Sequence, residues 1–536
     1  MHRLRRLLLF VPALLLASSA GLAAQIKGAP DRRPDEGEGP FDRLIIRGVY
    51  VIDGTGAPPV GPADIVIEGN RIESITVVGT PNVPIDEDGR PTGATRVIDA
   101  EGSFVLPGFV NLHAHAGDPR KAPDAEYTYK LWLANGVTTV RGVALGEMDW
   151  TINEQQRSAR NEIVAPRIFN YQRPGSGREW REQGRRISTP QDARDWVRYA
   201  AGKGIDGMKL GSFRPEIMEA LLDEARQHGL GSTAHLAQTG VAQMNAIDAA
   251  RLGLGTVTHF YGIFEALYKD NDVQPWPPDF IYNEEQNRFS QVAYQWNLIH
   301  EQGSDEWNAL LEEFLELGTI LDPTMVAYLA SRDVMRARNA DWHAKYTLPS
   351  LWDFYTASRT DHGSYYYDWT PWEENAWKQF YLKWFALLDD YKDMGGRVTV
   401  SDDAAYIYNL WGFGVITEME LLQEAGFHPL EVFRGATMHG AEALFEPKGE
   451  EIQFGVLREG MLADLVIVDE NPVQNIKMLY GTGWDRLNDA TGQVERIGGI
   501  RYTIKDGIVY DARALLADVE RMVEEQKTQR GISDGS

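Results

Sequence analysis

Six residues of ligating type recur at the ends of short apolar runs. They are His113 and His115 in VLPGFVNLHAH, Lys209 in GIDGMKL, His235 in GSTAHLA, His259 in TVTHF and Asp402 in VTVSDD. Residues two apart on a strand face the same way, so His113 and His115 present a paired half-site, and neutral imidazoles suit zinc and similar ions. A lysine in such surroundings has an ordinary use, pairing with a carboxylate. It also has a chemical one: burial and nearby metal charge lower its pKa until it takes up carbon dioxide, giving an anionic two-oxygen carbamate able to bridge two cations. Lys209 is expected in that second role, with His235 and His259 completing the second metal position. Metal binding lowers the pKa of water toward about 7, and a carboxylate at the last strand end can then hold the proton and pass it to a leaving nitrogen. Asp402 is the expected carboxylate. Its neighbour Asp403 competes for that role, because a slip of one residue exchanges the two faces of a strand.

Distant segments can converge in this way only if their strands share one end of a sheet. Between the ligand candidates the chain alternates strand-like and helix-like stretches: GVTTVRGV, DARDWVRYAAGKG, IDGMKL, RPEIMEALLDEARQHG, STAHL and TVTHF. Continuous apolar strands and amphipathic helices in alternation predict βα units around a buried parallel sheet, which an eight-stranded barrel closes economically. After His259 the pattern breaks. About residues 262–394 read as an aromatic insertion over the barrel mouth, interrupted only by the strand-like LGTILDPTM. Within it Trp377, Phe380, Tyr381 and Trp384 stand at helical spacing, as the core of a helical cap or in part as a binding wall.

Short alternating strands occur near both termini, in LIIRGVYVIDG and ADIVIEGNRIESITVV, and again in GMLADLVIVD and YTIKDGIVYD. They predict a small composite β-sandwich from residues 41–107 and 449–511, beside a barrel spanning 108–448. Residues 1–24 have a basic start, an apolar stretch and a small-residue run, the pattern of a secretory signal peptide, which implies a periplasmic or extracellular protein with no stable membrane insertion after cleavage. Residues 25–40, rich in Pro, Gly and charge, read as a flexible linker, and 512–536 as a C-terminal helix and tail, with Leu515, Leu516, Val519, Met522 and Val523 on one helical face. The formal net charge of −25 excludes nucleic acid as a partner on electrostatic grounds. The chain has no cysteine, which rules out a disulfide framework. It also has no Gly-rich phosphate loop or Ser-centred nucleophile elbow. His228, His428 and His439 have local structural readings, while His362 lies where it could reach a substrate.

Taken together, these segments resemble the amidohydrolase superfamily, in particular its imidazolonepropionase-like and Xaa-Pro or Xaa-Arg dipeptidase branch. The resemblance runs through VIDGTG, VLPGFVNLHAH, GVTTVRG, VAPRIF, GIDGMKL, STAHL, TVTHF, VTVSDDA, HPLEVFRGATMHGAEALF and GMLADLVIVDENPV. It implies two divalent ions, zinc being expected, on His113, His115, carboxylated Lys209, His235, His259 and Asp402. Asp402 would also be the proton shuttle. The expected function is an exported metal-dependent amidohydrolase that cleaves an amide or cyclic amide C–N bond of a small molecule by a metal-activated hydroxide. A dipeptidase of the Xaa-Pro or Xaa-Arg type is the alternative within enzymes, and an inactive surface binding protein the alternative outside them. Arg141, Tyr171, Arg173, Gln238 and Tyr261 follow strand ends and are the expected substrate contacts. Association into homo-oligomers is left open.

Overall fold

A computed structural model describes residues 26–359 and 363–532, so the segment read as a signal peptide and His362 lie outside the described residues. Two eight-stranded sheets organise the chain. The first is built from β1 (Leu44–Val51), β2 (Val60–Glu68), β3 (Arg71–Val77), β4 (Arg96–Asp99) and β5 (Phe104–Pro107). The second holds β6 (Phe109–Ala114), β7 (Val137–Val143), β8 (Arg167–Gln172), β9 (Gly207–Leu210), β10 (Gly231–Ala234), β11 (Thr256–Thr258), β12 (Ile320–Asp322) and β13 (Arg397–Val398). The chain then returns to the first sheet through β14 (Leu465–Val468), makes a separate hairpin of β15 (Trp484–Asn488) and β16 (Gln493–Ile497), and ends in β17 (Ile500–Lys505) and β18 (Ile508–Asp511).

The terminal segments do combine, into one hydrogen-bonded eight-stranded sheet. Antiparallel pairing of β5 with β14, from Pro107 opposite Leu465 to Phe104 opposite Val468, welds the N-terminal strands to the C-terminal ones. The composite domain expected from both terminal regions is present, its strands joined edge to edge in this sheet. The sheet splits at β1, whose first half pairs with β4 and whose last residues pair with β5, across a break at Gly48 where φ is +74°. Its own apolar core includes Leu44, Ile46, Ile65, Ile67, Leu465 and Ile467.

The second sheet is parallel throughout and runs in chain order from β6 to β13, the arrangement of a TIM-like barrel. Its ends approach one another beyond the paired strands: Leu112 N donates to Ser401 Oγ at 3.0 Å, and Asp403 N to His113 O at 3.1 Å. The strand-like LGTILDPTM supplies β12, so the long stretch read as one insertion is two excursions separated by a barrel strand. The second excursion ends in the helix Pro371–Asp393, started by a Thr370–Glu373 capping box, with Trp377, Phe380, Tyr381 and Trp384 fully buried on its inner face. The helix Ala512–Arg530 buries Leu515, Leu516, Val519 and Val523 and packs on the helix Ala125–Ala134. Residues 26–40, whose composition pointed to a free segment, are held against the body. Lys27 bridges to Asp124, Asp31 to Ile163 and Glu38 to Val509, and Ile26 and Ala29 are buried. Backbone pairing with partners far along the chain overrides what local composition indicates here. Among the described residues no helix is long and apolar enough to cross a membrane.

Candidate active site

Every cluster residue sits at or just beyond the C-terminal end of a barrel strand. His113 belongs to β6 and Lys209 to β9, while His115, His235 and His259 follow β6, β10 and β11. The histidine rings are close-packed, with centroids 5.3 Å apart for His113 and His115, 5.0 Å for His113 and His259, and 4.5 Å for His235 and His259. Lys209 Nζ lies 2.9 Å from His113 Nε2. All five nitrogen-bearing candidates therefore meet at one place.

The sixth candidate does not. Asp402 is fully buried, and its carboxylate accepts hydrogen bonds from Asn111 Nδ2 at 2.7 Å, Trp132 Nε1 at 2.9 Å and Gly412 N at 3.1 Å. It faces the helix side of the barrel wall. Asp403 instead faces the rings, 3.6 Å from His113 Nε2, 3.4 Å from His115 Nε2 and 3.6 Å from His259 Nε2. His113, His259 and Asp403 bring ligand atoms within 4.8 Å of one another. The register follows from alternation. Thr399 and Ser401 point inward, where both hydroxyls donate to Asp322 Oδ1 at 3.0 and 2.6 Å, so the next inward residue is 403. A φ of +41° at Asp403 then turns the chain away from strand geometry.

Electrostatics keep the cluster ready for a cation. Burial, reinforced by the Lys209 ammonium, holds the His113 and His235 imidazoles well below their usual pKa and His115 at about 3. Burial together with the neighbouring His235 does the same for His259. These rings are neutral near pH 7, the form that ligates. Burial also lowers Lys209 and raises Asp403, each opposed by the other's charge. Two buried ring nitrogens, His113 Nδ1 and His259 Nε2, have no hydrogen-bond partner among the described residues. His259 is held by a 2.5 Å contact from Nδ1 to Thr324 Oγ1, so its orphaned Nε2 is aimed toward Asp403. The set of four neutral imidazoles, one lysine and one carboxylate fits divalent metal ions of the zinc type.

The substrate candidates divide. Arg173, Gln238 and Tyr261 line a cavity of about 420 Å³ over the cluster. Arg141 and Tyr171 do not reach it. Arg141 is fully buried beneath the cluster, donating to Leu112 O at 2.6 Å, Thr256 Oγ1 at 3.1 Å, Thr233 Oγ1 at 3.2 Å and Asp322 Oδ2 at 3.3 Å. The Tyr171 ring packs below, filling the space that Gly231 leaves open. Both sit within strands β7 and β8 rather than after them, which is why they face the barrel interior. Sequence reasoning passed over Asp322, which ends β12 and anchors this layer, although it ends an apolar run as the chosen residues do. It also passed over Tyr282, Arg288, Phe289 and Tyr328, which the excursions contribute to the cavity wall.

Solved structures with a similar fold include an Xaa-Pro dipeptidase with bound methionine (18% identity, TM-score 0.56, covering 88% of this chain and 100% of the other) and the bottromycin amidohydrolase (17% identity, TM-score 0.60, covering 92% of each). The chain shares its fold with these proteins over most of its length. At this identity, these solved structures show the fold alone. In sequence, the chain is 32% identical over 100 residues to a dihydroorotase of Aquifex aeolicus, which is 18% of this chain and 21% of that protein. It is 36% identical over 74 residues to a 5-methylthioadenosine/S-adenosylhomocysteine deaminase of Caldicellulosiruptor saccharolyticus, 14% of this chain and 16% of that protein. The chain thus spans only about a fifth of the length of these curated relatives. No protein-family model matches it.

Proposed function

We propose that this chain is a metal-dependent amidohydrolase that cleaves an amide or cyclic amide C–N bond of a small molecule. The observation that carries the reading is the convergence of four neutral histidines, Lys209 and Asp403 at the C-terminal mouth of the barrel, with two ring nitrogens left without a hydrogen-bond partner among the described residues. Two divalent ions would be held by His113, His115, His235, His259, Asp403 and Lys209, the lysine as its carbamate; burial and a depressed pKa support that modification. When bound, such ions polarise a carbonyl and make water acidic enough to attack it near neutral pH.

The chain's own residues supply the rest. Asp403, raised by burial and set among the rings, is placed to take a proton and deliver it to the departing nitrogen. Asp402 has a different task in this reading. Anchored by three donors, it fixes the backbone from which Asp403 projects. Arg173, Gln238 and Tyr261 orient the substrate, and Tyr282, Phe289 and Tyr328 wall it from water. Export is inferred from the sequence of residues 1–24 alone.

The test is metal content per chain on protein purified without chelator, alongside Lys209→Ala and a screen of amides. About two zinc-like ions, falling in the variant, with hydrolysis of at least one amide, is the expected result. No bound metal after reconstitution would overturn it. A dipeptidase reading is favoured by one observation: Arg173 lines the cavity with no ion pair among the described residues, which suits a substrate carboxylate. Blocking the C-terminal carboxylate of a cleaved dipeptide should abolish its turnover if that reading holds.

A further inference from the structure

A second cavity, of about 340 Å³, lies on the other side of the segment that carries Asp403. Residues 403–406 line the catalytic cavity, and the next four, Ile407, Tyr408, Asn409 and Leu410, line this one. The remaining walls come from the second excursion, the helix Phe413–Glu424 and the β15–β16 hairpin with the turn before it. None of the chemistry described above uses this space.

Three features define what it would hold. Its aromatic wall is a run of tilted, overlapping rings: Trp342 lies 5.0 Å from Tyr480, and Tyr480 6.1 Å from Trp484, at interplanar angles of 33° and 31°. Such a wall favours a planar ring over an aliphatic chain. The lining charges are already matched, which disfavours a charged guest, since it would be desolvated without an unspent counter-charge. Arg336 lies 3.3 Å and Lys477 3.2 Å from Glu420, and Arg496 is 2.6 Å from Asp341 and 3.0 Å from Asp485.

The third feature is an unmet donor and an unmet acceptor. Trp342 Nε1 and Asn409 Oδ1 are buried atoms with no hydrogen-bond partner among the described residues. Asn409 is only 4% exposed, and a side chain at the neighbouring lining residue Gly414 would come within 2.2 Å of its Oδ1. Buried polar atoms left unsatisfied are costly, and a guest offering one acceptor and one donor would relieve both. The same Asn409 carboxamide ties down the catalytic segment, since its Nδ2 donates to Asp402 O at 2.5 Å and its backbone O accepts from Ala405 N at 2.9 Å.

We propose that this second cavity binds an uncharged, flat aromatic molecule bearing an amide-like donor and acceptor, and that its occupancy is felt at Asp403 through residues 403–410. Benzamide is a suitable probe, titrated calorimetrically into the full chain. Binding is expected, with Trp342→Phe, which keeps the ring and removes the N–H, weakening it about tenfold, the worth of one buried hydrogen bond. Ala337→Phe, which fills the cavity, should abolish it while the thermal melt stays that of a folded protein. Benzoate, flat but charged, should bind at least about tenfold more weakly than benzamide. No benzamide binding, or binding unchanged in both variants, would overturn the site. Zinc affinity measured with and without saturating benzamide should differ about threefold or more, in line with linkage between coupled sites. An unchanged zinc affinity would overturn the communication with Asp403.

Discussion

Two buried polar layers lie one above the other in this barrel, and their hydrogen bonding differs. In the lower layer Arg141 donates to four acceptors, and Asp322 accepts from Arg141, Thr399 and Ser401. In the upper layer the rings of His113 and His259 each keep a nitrogen without a hydrogen-bond partner among the described residues, and Asp403 sits at 3.4–3.6 Å from three imidazoles. The adjacent pair Asp402 and Asp403 repeats the contrast in miniature, one saturated by donors and the other open. Saturation marks groups whose work is to hold the fold, because each bond offsets the cost of burying a polar atom. Incompleteness among clustered groups of ligating type leaves room for a partner from outside the chain, as in the metal reading proposed above. Burial alone does not separate the two classes, since Arg141 and His113 are both almost wholly inaccessible.

The sharpest way to break this comparison is to exchange consequences between the layers. Arg141→Met leaves Asp322 as an unpaired buried charge and should cost about 3–5 kcal/mol of stability in chemical denaturation. A variant of near wild-type stability would place Arg141 among the groups that serve a substrate. Asp403→Asn should lower hydrolysis of any cleaved amide by about a thousandfold, within the range of a lost proton shuttle, with little change in the melting curve. Asp402→Asn sets an amide NH2 against at least one of the three donors, Asn111 on Oδ1 or Trp132 and Gly412 on Oδ2, and should destabilise by about 2 kcal/mol, with activity falling less than in the Asp403 variant. If activity instead collapses in the Asp402 variant and survives in the Asp403 one, the assignment of roles is reversed.

A subtler test uses Glu418, which accepts from Met325 N at 2.9 Å and Val326 N at 2.7 Å at the start of the second excursion. Burial raises its folded-state pKa to about 8. Between the unfolded value, near 4.5, and about 8 the unfolded chain has lost this proton while the folded chain keeps it, so the unfolded state binds fewer protons and stability falls as pH rises. Below pH 4.5 both states are protonated and the contribution is complete. Glu418→Gln, which mimics the protonated form, should flatten that decline; an unchanged slope across the window would show that the carboxylate is already ionised there.

Much of the site was legible because strand ends are local features. His113, His115, Lys209, His235 and His259 could be chosen from apolar runs and turn residues alone, and the alternating strand and helix pattern required a parallel sheet to gather them. Alternation from Ser401 also placed Asp403 on the inward side, but only once something showed that Ser401 faces inward, and that fact belongs to Asp322 some 80 residues earlier. The same limit explains Arg141 and Tyr171: the chain shows where a strand lies more clearly than how deep in the barrel each residue sits.

By itself, then, the sequence determined which residue types could ligate, the period of each element and the order in which the strands would meet, all of which depend on spacing along the chain. Only the tertiary structure decided which polar groups are saturated. Asn111, Trp132 and Gly412 reach Asp402 from separate elements, whereas β12 divides the long aromatic stretch and brings Tyr282, Phe289 and Tyr328 over the cavity. Hydrogen-bond partners are fixed by three-dimensional proximity, and separations of 270 and 291 residues between Asp402 and its side-chain donors leave no trace in local pattern.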